Sequence, residues 1–225
     1  MVGEGSLPRQ PAFIFDLGGV LVDWNPRHLY RKVFDEAELA FFLDRVCPPQ
    51  WNLTLDAGRP FGEAILEKQA QWPDYAQAIG WWKTRWLEML AGPFPETVEL
   101  LAGLRKAGHP LFALTNWSSE TFPLAKDRFD FFGWFGEIVV SGEVGLTKPD
   151  PAIFRLTAAR CGIPLEGTVF IDDAQVNVDA ARSLGLDAIR FTGAPDIRAA
   201  LAERGYLQCR PPEVYGTIRP TPAKG

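Results

Sequence analysis

The stretch at residues 11–24 constrains the fold most, because a short apolar run, predicted to be a buried strand, ends there abruptly on an acid. Residues 12–15 form an apolar run that is too short for a helix, and Asp16 follows at once. Gly18 and Gly19 come next, before a second apolar run at residues 20–22. A buried strand that carries an acid at its carboxyl end and then turns is typical of an open parallel sheet with a ligand crevice at that edge.

Three later apolar runs also end on polar residues. They cover residues 111–114, 138–140 and 169–171, and they lead to Thr115-Asn116, Ser141 and Asp172-Asp173. Helical patterns lie between the runs, and this alternation predicts an α/β fold with a doubly wound parallel sheet. Side chains at the carboxyl ends of such strands line one crevice, and Lys148, at the start of a helix leaving that edge, can join them.

Residues 26–92 interrupt this alternation with a helical pattern. Helices are predicted over residues 27–34, 36–46, 61–71 and 75–90, with a break at Pro48-Pro49 and no strand. The pattern predicts a small helical cap at 26–92, inserted into a core domain at 11–25 and 93–204, with tails at 1–10 and 205–225. The tryptophans of the insert could line a substrate pocket, although buried aromatic side chains more often pack a core.

Composition argues against several classes of protein. The formal net charge is −5 and there is no basic run, which argues against a nucleic-acid surface. No apolar stretch is long enough to span a bilayer, and the first ten residues lack the apolar core of a signal peptide. Three distant cysteines suggest free thiols in a reducing compartment. We therefore expect a cytoplasmic protein without nucleic-acid or membrane partners, either a monomer or a homodimer.

The charges at the predicted crevice favour a divalent cation. Asp16, Asp172 and Asp173 carry three negative charges, against one positive charge on Lys148. Carboxylates that are packed together repel one another and raise one another's pKa values. Hard oxygen ligands without His or Cys suit Mg²⁺, which can neutralise and polarise a phosphate. A carboxylate can then attack it and form an acyl phosphate, so the residues favour phosphoryl transfer.

Four motifs resemble, in order and spacing, those of the haloacid dehalogenase-like (HAD) hydrolase superfamily. They are Asp16-Leu-Gly-Gly-Val, Thr115-Asn116, Lys148-Pro149 and Asp172-Asp173. The resemblance covers about residues 12–204 and includes a helical cap inserted after the first motif. Within the superfamily, the chain is similar to sugar 1-phosphatases that share an Asp-Leu-Gly first motif. The resemblance implies a hydrolase that acts on a small phosphorylated substrate with Mg²⁺ as its cofactor.

The resemblance also implies a nucleophile and a set of metal ligands. Asp16 is expected to be the nucleophile and a metal ligand, and the backbone carbonyl of Gly18 is expected to be a second ligand. Asp173 is expected to be the third ligand, with Asp172 as a ligand or an anchor behind it. Asn177, one helical turn further on, is expected to brace this acidic pair.

The remaining motif residues are expected to bind the substrate. Thr115 and the backbone of Asn116 are expected to hold the phosphate, while Lys148 orients the nucleophile and offsets charge. The predicted substrate-binding residues are Gly18, Gly19, Trp24, Arg27 and Trp117.

Gly18 departs from the usual phosphatase pattern of this superfamily. The position two after the nucleophile normally carries an Asp that protonates the leaving group and then activates water, a contribution that can reach orders of magnitude in rate. Asp23, His28 or a residue of the cap could take its place.

Two other functions remain open from the sequence. One is a 2-haloacid dehalogenase, in which the same Asp16 would displace halide and Arg27 or Arg31 would bind the substrate carboxylate. The acidic pair Asp172-Asp173 argues against it, because these charges repel a carboxylate substrate unless a cation is present. The other is a binding or regulatory protein whose catalysis is weakened by Gly18.

Overall fold

A five-stranded parallel sheet forms the centre of the computed structural model, which describes residues 10–207. The strands, in chain order, are β1 (Phe13–Phe15), β2 (Val22–Trp24), β3 (Leu90–Pro93), β4 (Leu111–Thr115), β5 (Glu137–Val140), β6 (Val169–Asp172) and β7 (Asp187–Arg190). The sheet has the order β5-β4-β1-β6-β7, so β1 lies in the middle with parallel neighbours on both sides. The predicted α/β fold with a doubly wound parallel sheet is confirmed.

Between β2 and β3 lies a series of short helices, which we call the helical segment (residues 27–89). It contains α1 (Arg27–Tyr30), α2 (Glu36–Phe41), α3 (Pro49–Asp56), α4 (Phe61–Gln71) and α5 (Ala76–Thr84), a π-helical turn at Phe42–Val46, and 3₁₀ turns at Pro73–Tyr75 and Trp86–Met89. Its core is aromatic: the Trp82 ring lies 5.8 Å from the ring of Tyr30 and 5.3 Å from that of Trp51. These tryptophans pack the segment, and its assignment as a separate cap domain stays a prediction.

The segment differs from its prediction in three places. The helix predicted over 27–34 ends at Tyr30. The predicted break at Pro48-Pro49 is present, but the sequence analysis did not identify α3, which begins at Pro49, where the missing proline N–H would have no helical partner in any case. The helix predicted over 75–90 ends at Thr84, since Arg85 leaves the helical region of backbone angles. The chain then becomes extended and forms β3, which pairs antiparallel with β2.

Helices cover both faces of the parallel sheet. They are α6 (Pro95–Lys106), α7 (Phe122–Lys126), α8 (Ser141–Val144), α9 (Pro151–Cys161), α10 (Gln175–Ser183) and α11 (Ala194–Glu203). The sequence analysis identified neither α8 nor α11. Ile14 of β1 belongs to a buried cluster with Phe154 of α9 and Val178 of α10. Its neighbour Phe13 belongs to a second cluster, with Leu101 of α6. This alternation along β1 is what a strand buried on both faces requires.

Most of the predicted tails, at 1–10 and 205–225, fall outside the described residues. Within them, the ring of Tyr206 packs against Phe13, with ring centroids 5.5 Å apart, so the part of the C-terminal tail at 205–207 contacts the core. No helix between residues 10 and 207 is both long and apolar enough to cross a membrane.

Candidate functional site

Three carboxylates meet at the carboxyl edge of the parallel sheet. Asp16 follows β1, Asp172 ends β6 and Asp173 comes next, and each offers an oxygen within 4.8 Å of the others. Asp16 and Asp172 are buried, whereas Asp173 is exposed. Thr115 ends β4 beside them and is buried. The sheet thus brings together side chains that are far apart in the sequence.

The ammonium group of Lys148 lies between two of these carboxylates. Its Nζ is 2.9 Å from Oδ2 of Asp16 and 2.6 Å from Oδ2 of Asp172, and it also donates to the carbonyl of Leu114 at 3.0 Å. The lysine is 1% exposed, so almost no water shields these contacts. Burial lowers the pKa of Lys148, but the charges of Asp16 and Asp172 and its hydrogen bonds to both more than offset this, and the net pKa is raised. Lys148 is therefore held as a cation.

Asn116 holds the backbone of Lys148 in place. Its Oδ1 accepts a hydrogen bond from the Lys148 N–H at 2.8 Å, and its Nδ2 donates to the Lys148 carbonyl at 3.0 Å. The sequence predicted only a phosphate-binding backbone at Asn116, and this positioning contact was not foreseen.

Asp172 is the most fully hydrogen-bonded of the acids. Its two oxygens accept from Nδ2 of Asn177 at 2.9 and 3.1 Å, and Oδ1 also accepts from the Ala174 N–H at 2.9 Å. With Lys148 on Oδ2, few of its lone pairs remain free. Asp172 is therefore suited to anchor the group of acids, whereas the exposed Asp173 is more accessible to a ligand.

Gly19 fits closely against Asp173. Its φ is +75°, and a Cβ at this position would lie 2.6 Å from Oδ2 of Asp173, a separation that side chains do not tolerate. Gly18 differs, because a Cβ built there meets no atom within 4 Å. Glycine is thus needed at position 19 for the turn, whereas position 18 has room for a side chain.

Burial raises the pKa of Asp16 to about 7, and the charges of Asp172 and Asp173 act in the same direction, while Lys148 opposes the shift. The protein part of the site therefore stabilises the charged nucleophile incompletely. A bound cation near the three carboxylates would favour the ionised form.

A cavity of about 360 Å³, counted with its open mouth, lies between this edge and the helical segment. Its lining consists of Gly18, Trp24, Asn52, Asp56, Phe61, Trp86, Asn116, Trp117 and Thr121. Three of the predicted substrate-binding residues, Gly18, Trp24 and Trp117, are among them. Two are not: Gly19 contacts Asp173, and Arg27 forms an exposed ion pair with Glu36 at 3.5 Å.

Asp56 is the one acidic residue among those that line the cavity, and the sequence analysis missed it. It ends α3, and its Oδ2 accepts a hydrogen bond from Nδ2 of Asn52 at 2.8 Å. Burial raises the pKa of Asp56 to about 8, helped by the charge of Asp16, while a hydrogen bond from the Ser118 backbone and the charge of Lys148 lower it. Recognising Pro49 as a helix start would have placed Asp56 at a helix end, but no sequence signal places it at the cavity.

Asp23 and His28, the two named substitutes for the missing acid, pair with each other instead. His28 Nε2 lies 3.0 Å from Oδ1 of Asp23, and neither is among the residues that line the cavity.

We expect Asp56→Asn to flatten the pH dependence of stability. The folded-state pKa of Asp56 is about 8, against about 4 in the unfolded chain. Between these values only the folded state holds the proton, so the free energy of unfolding falls as pH rises, by up to about 1.4 kcal/mol per pH unit. Asparagine does not titrate, so this part of the slope disappears. Urea unfolding of both proteins at pH 5, 6, 7 and 8, with chelator, measures it. The same dependence of the free energy of unfolding on pH in both proteins would contradict the prediction.

Comparison with known proteins supports the fold and identifies the family. A family model of haloacid dehalogenase-like hydrolases matches residues 11–185. The phosphorylated carbohydrates phosphatase of Thermotoga maritima is 26% identical over 92% of this chain and 98% of its own length. The chain spans less than half the length of the first four curated relatives it matches, between 10% and 43%.

Solved structures share the fold. A predicted HAD-like family hydrolase from Porphyromonas gingivalis is 25% identical, with a TM-score of 0.65, over 86% of this chain and 98% of that chain. A dehalogenase structure is 19% identical, with a TM-score of 0.65, over 88% and 99%. At that identity the second shows the fold alone. The family match, the parallel sheet and the four motifs at its carboxyl edge agree, and the chain therefore belongs to the haloacid dehalogenase-like hydrolase family of enzymes.

Proposed function

We propose that this enzyme is a Mg²⁺-dependent phosphatase of a small phosphorylated metabolite, of the sugar phosphate class, which acts through an aspartyl phosphate on Asp16. The observation that carries the proposal is the group of three carboxylates within 4.8 Å, with a buried lysine beside the nucleophile. Phosphoryl transfer needs a positioned nucleophile and positive charge near the phosphate, and this group can provide both.

The donor set fits a magnesium ion. Asp16, Asp173 and the carbonyl of Gly18 would hold it, with Asp172 as an anchor or a further ligand. They are hard oxygen donors without His or Cys, which is the set that Mg²⁺ prefers. When bound, the ion would offset the carboxylate charge and polarise the phosphate.

The chain's own residues orient the nucleophile. The Leu17 N–H donates to Oδ1 of Asp16 at 2.7 Å and Lys148 holds Oδ2, so the carboxylate has a fixed direction. One of its oxygens attacks phosphorus, the bond to the leaving oxygen breaks, and water then cleaves the aspartyl phosphate. Thr115 and the backbone of Asn116 would bind the phosphate during both steps.

Unpaired donors in the cavity support a hydroxylated substrate. The indole N–H groups of Trp24 and Trp117 and the Thr121 hydroxyl are buried and find no partner among the described residues, and all three residues line the cavity. A buried donor without a partner costs about 1–3 kcal/mol. Sugar hydroxyls would satisfy them, and the rings of Phe61 and Trp86 offer apolar walls for a sugar ring. The similarity to the Thermotoga maritima carbohydrate phosphatase agrees with this substrate class.

We expect hydrolysis of p-nitrophenyl phosphate to require Mg²⁺. Activity should be lost in EDTA and return with excess Mg²⁺, because the metal offsets the three acids. Mg²⁺ should also raise the free energy of unfolding of the wild-type protein, measured in urea, by about 2.7 kcal/mol at 100 times its dissociation constant. Asp173→Asn should need more Mg²⁺ for both effects. A panel of sugar phosphates would then identify the substrate.

The same experiment tests the alternative of a 2-haloacid dehalogenase. Its fold is shared, but no Lys or Arg is among the residues that line the cavity, so the lining offers no positive charge to pair with a substrate carboxylate. Chloride release from 2-chloropropionate that continues in EDTA, without phosphate ester hydrolysis, would replace our proposal. The cytoplasmic location and the oligomeric state stay predictions.

A further inference from the structure

The cavity contains an acid, Asp56, that could replace the one missing from the first motif. Gly18 follows the nucleophile by two positions, and no side chain extends from it. Asp56, from the end of α3, lines the same cavity as Gly18 and Asn116. This carboxyl group therefore comes from the helical segment, whereas the nucleophile comes from the edge of the sheet.

A chain of hydrogen bonds holds the Asp56 carboxyl group in place. Trp82 Nε1 donates to Oδ1 of Asn52 at 3.1 Å, which turns the amide N–H of Asn52 towards Asp56. The backbone of Asp56 is fixed as well, because the Ser141 hydroxyl donates to its carbonyl at 2.5 Å. Such support on both sides is typical of a group that has to keep one direction during a reaction.

The charges around Asp56 favour its neutral, proton-carrying form. It is the only titratable residue of α3. The charged groups that act on it from other elements are Asp16, after β1, which favours protonation, and Lys148, before α9, which opposes it. Burial adds to the effect of Asp16 and dominates. A carboxylic acid kept neutral near pH 7 can give a proton to a leaving group.

We propose that Asp56 is the general acid and base of this enzyme, a role that rests on the proposed phosphatase function. As Asp16 attacks phosphorus and the bond to the leaving oxygen breaks, the proton of Asp56 passes to that oxygen, which departs as an alcohol. The Asp56 carboxylate then takes a proton from water as the water attacks the aspartyl phosphate. Inorganic phosphate leaves, and Asp16 and Asp56 return to their starting states.

Asp56→Asn tests this role through the acidity of the leaving group. Phenyl phosphate and p-nitrophenyl phosphate have similar shapes, but phenol is the poorer leaving group. With Mg²⁺, we expect kcat/KM for phenyl phosphate to fall about 10²-fold or more, and for p-nitrophenyl phosphate less than about 10-fold. A merely structural role for Asp56 would lower both by the same factor.

The second proton transfer gives an independent readout. If Asp56 activates water, the variant accumulates aspartyl phosphate, so a burst of p-nitrophenolate precedes a slow steady state. The pH profile should also lose the limb that belongs to Asp56, and Asp56→Glu should recover part of the activity. Circular dichroism and urea unfolding establish that the variant is folded.

Gly18→Asp in the Asp56→Asn background is the sharpest test. The site has room for this side chain, and the new acid would follow the nucleophile by two positions. We expect it to restore kcat/KM for phenyl phosphate at least about 10-fold. Asp23→Asn serves as the matched control, because Asp23 pairs with His28 and is not among the residues that line the cavity. It should leave the ratio of the kcat/KM values for the two substrates unchanged.

Two outcomes would overturn the proposal, and they can be told apart. Wild-type protein that hydrolyses neither ester with Mg²⁺ would overturn the phosphatase function, and the role of Asp56 with it. The role of Asp56 alone would be overturned if the wild-type protein hydrolyses both esters but Asp56→Asn shows no burst and keeps the wild-type ratio of kcat/KM for the two esters.

Discussion

Asp16→Asn should remove phosphatase activity almost completely, by at least about 10⁴-fold in kcat. An amide oxygen is too weak a nucleophile to form the aspartyl phosphate, and no other carboxylate has the same two contacts, from the Leu17 N–H at 2.7 Å and from Lys148 at 2.9 Å. Initial rates with p-nitrophenyl phosphate measure the loss. Acid-quenched wild-type protein should also carry phosphate from the substrate, and the variant should not.

The fold should survive this change. Asparagine keeps an oxygen for the Leu17 N–H, and Lys148 keeps its contacts with Asp172 and with the Leu114 carbonyl. Asp173→Asn is the matched comparison, because it removes an acid from the same group but leaves the nucleophile. It should regain activity at high Mg²⁺, whereas Asp16→Asn should not. More than about 1% residual activity in Asp16→Asn would argue against covalent catalysis at this residue.

Lys148→Ala should have the largest effect on stability. The substitution removes the only cation within hydrogen-bonding distance of Asp16 and Asp172 in the described structure and leaves both acids buried. Loss of one partner of a buried ion pair costs about 3–5 kcal/mol. Activity should fall as well, by about 10²-fold or more, because positive charge near the transferred phosphate is lost. Urea unfolding in EDTA and initial rates in Mg²⁺ measure the two effects.

Lys83→Ala provides the control for this prediction. Lys83 pairs with Glu120 at 2.8 Å, but its side chain is 52% exposed, so the loss should stay below about 1 kcal/mol. The loss of free energy of unfolding in Lys148→Ala should also be smaller at pH 5, where Asp16 and Asp172, left without their cation, can take up protons. Equal losses for the two lysines would show that burial does not determine the strength of this contact.

The sequence predicted the part of the site that belongs to the sheet. Asp16, Thr115 and Asp172 each follow a short apolar run, and parallel strands necessarily bring their carboxyl ends to one edge. Local patterns were sufficient for this, because the direction of each strand and the alternation with helices fix where each end lies. The same logic placed Lys148 beside them.

The sequence did not predict what the helical segment contributes. Asp56 and Asn52 reach the cavity only through the way in which α3 packs on the sheet domain, and no periodic pattern records that packing. Arg27 shows the opposite error: its position soon after the first motif suggested a substrate contact, but α1 directs it to Glu36. Residues on inserted helices depend on long-range packing, which local sequence does not specify.

The Ser141 hydroxyl connects the two sides of the cavity in one place. It donates to the Asp56 carbonyl at 2.5 Å and accepts from the Trp117 N–H at 2.8 Å, and next to it Gly142 passes so close that a Cβ would lie 2.5 Å from the Ser119 nitrogen. If Asp56 carries the proton, this contact couples the position of the acid to that of the sheet domain. A displacement of α3 that breaks this hydrogen bond would also withdraw the acid from Asp16, so a substrate would meet the nucleophile and the proton donor together only while the bond is intact.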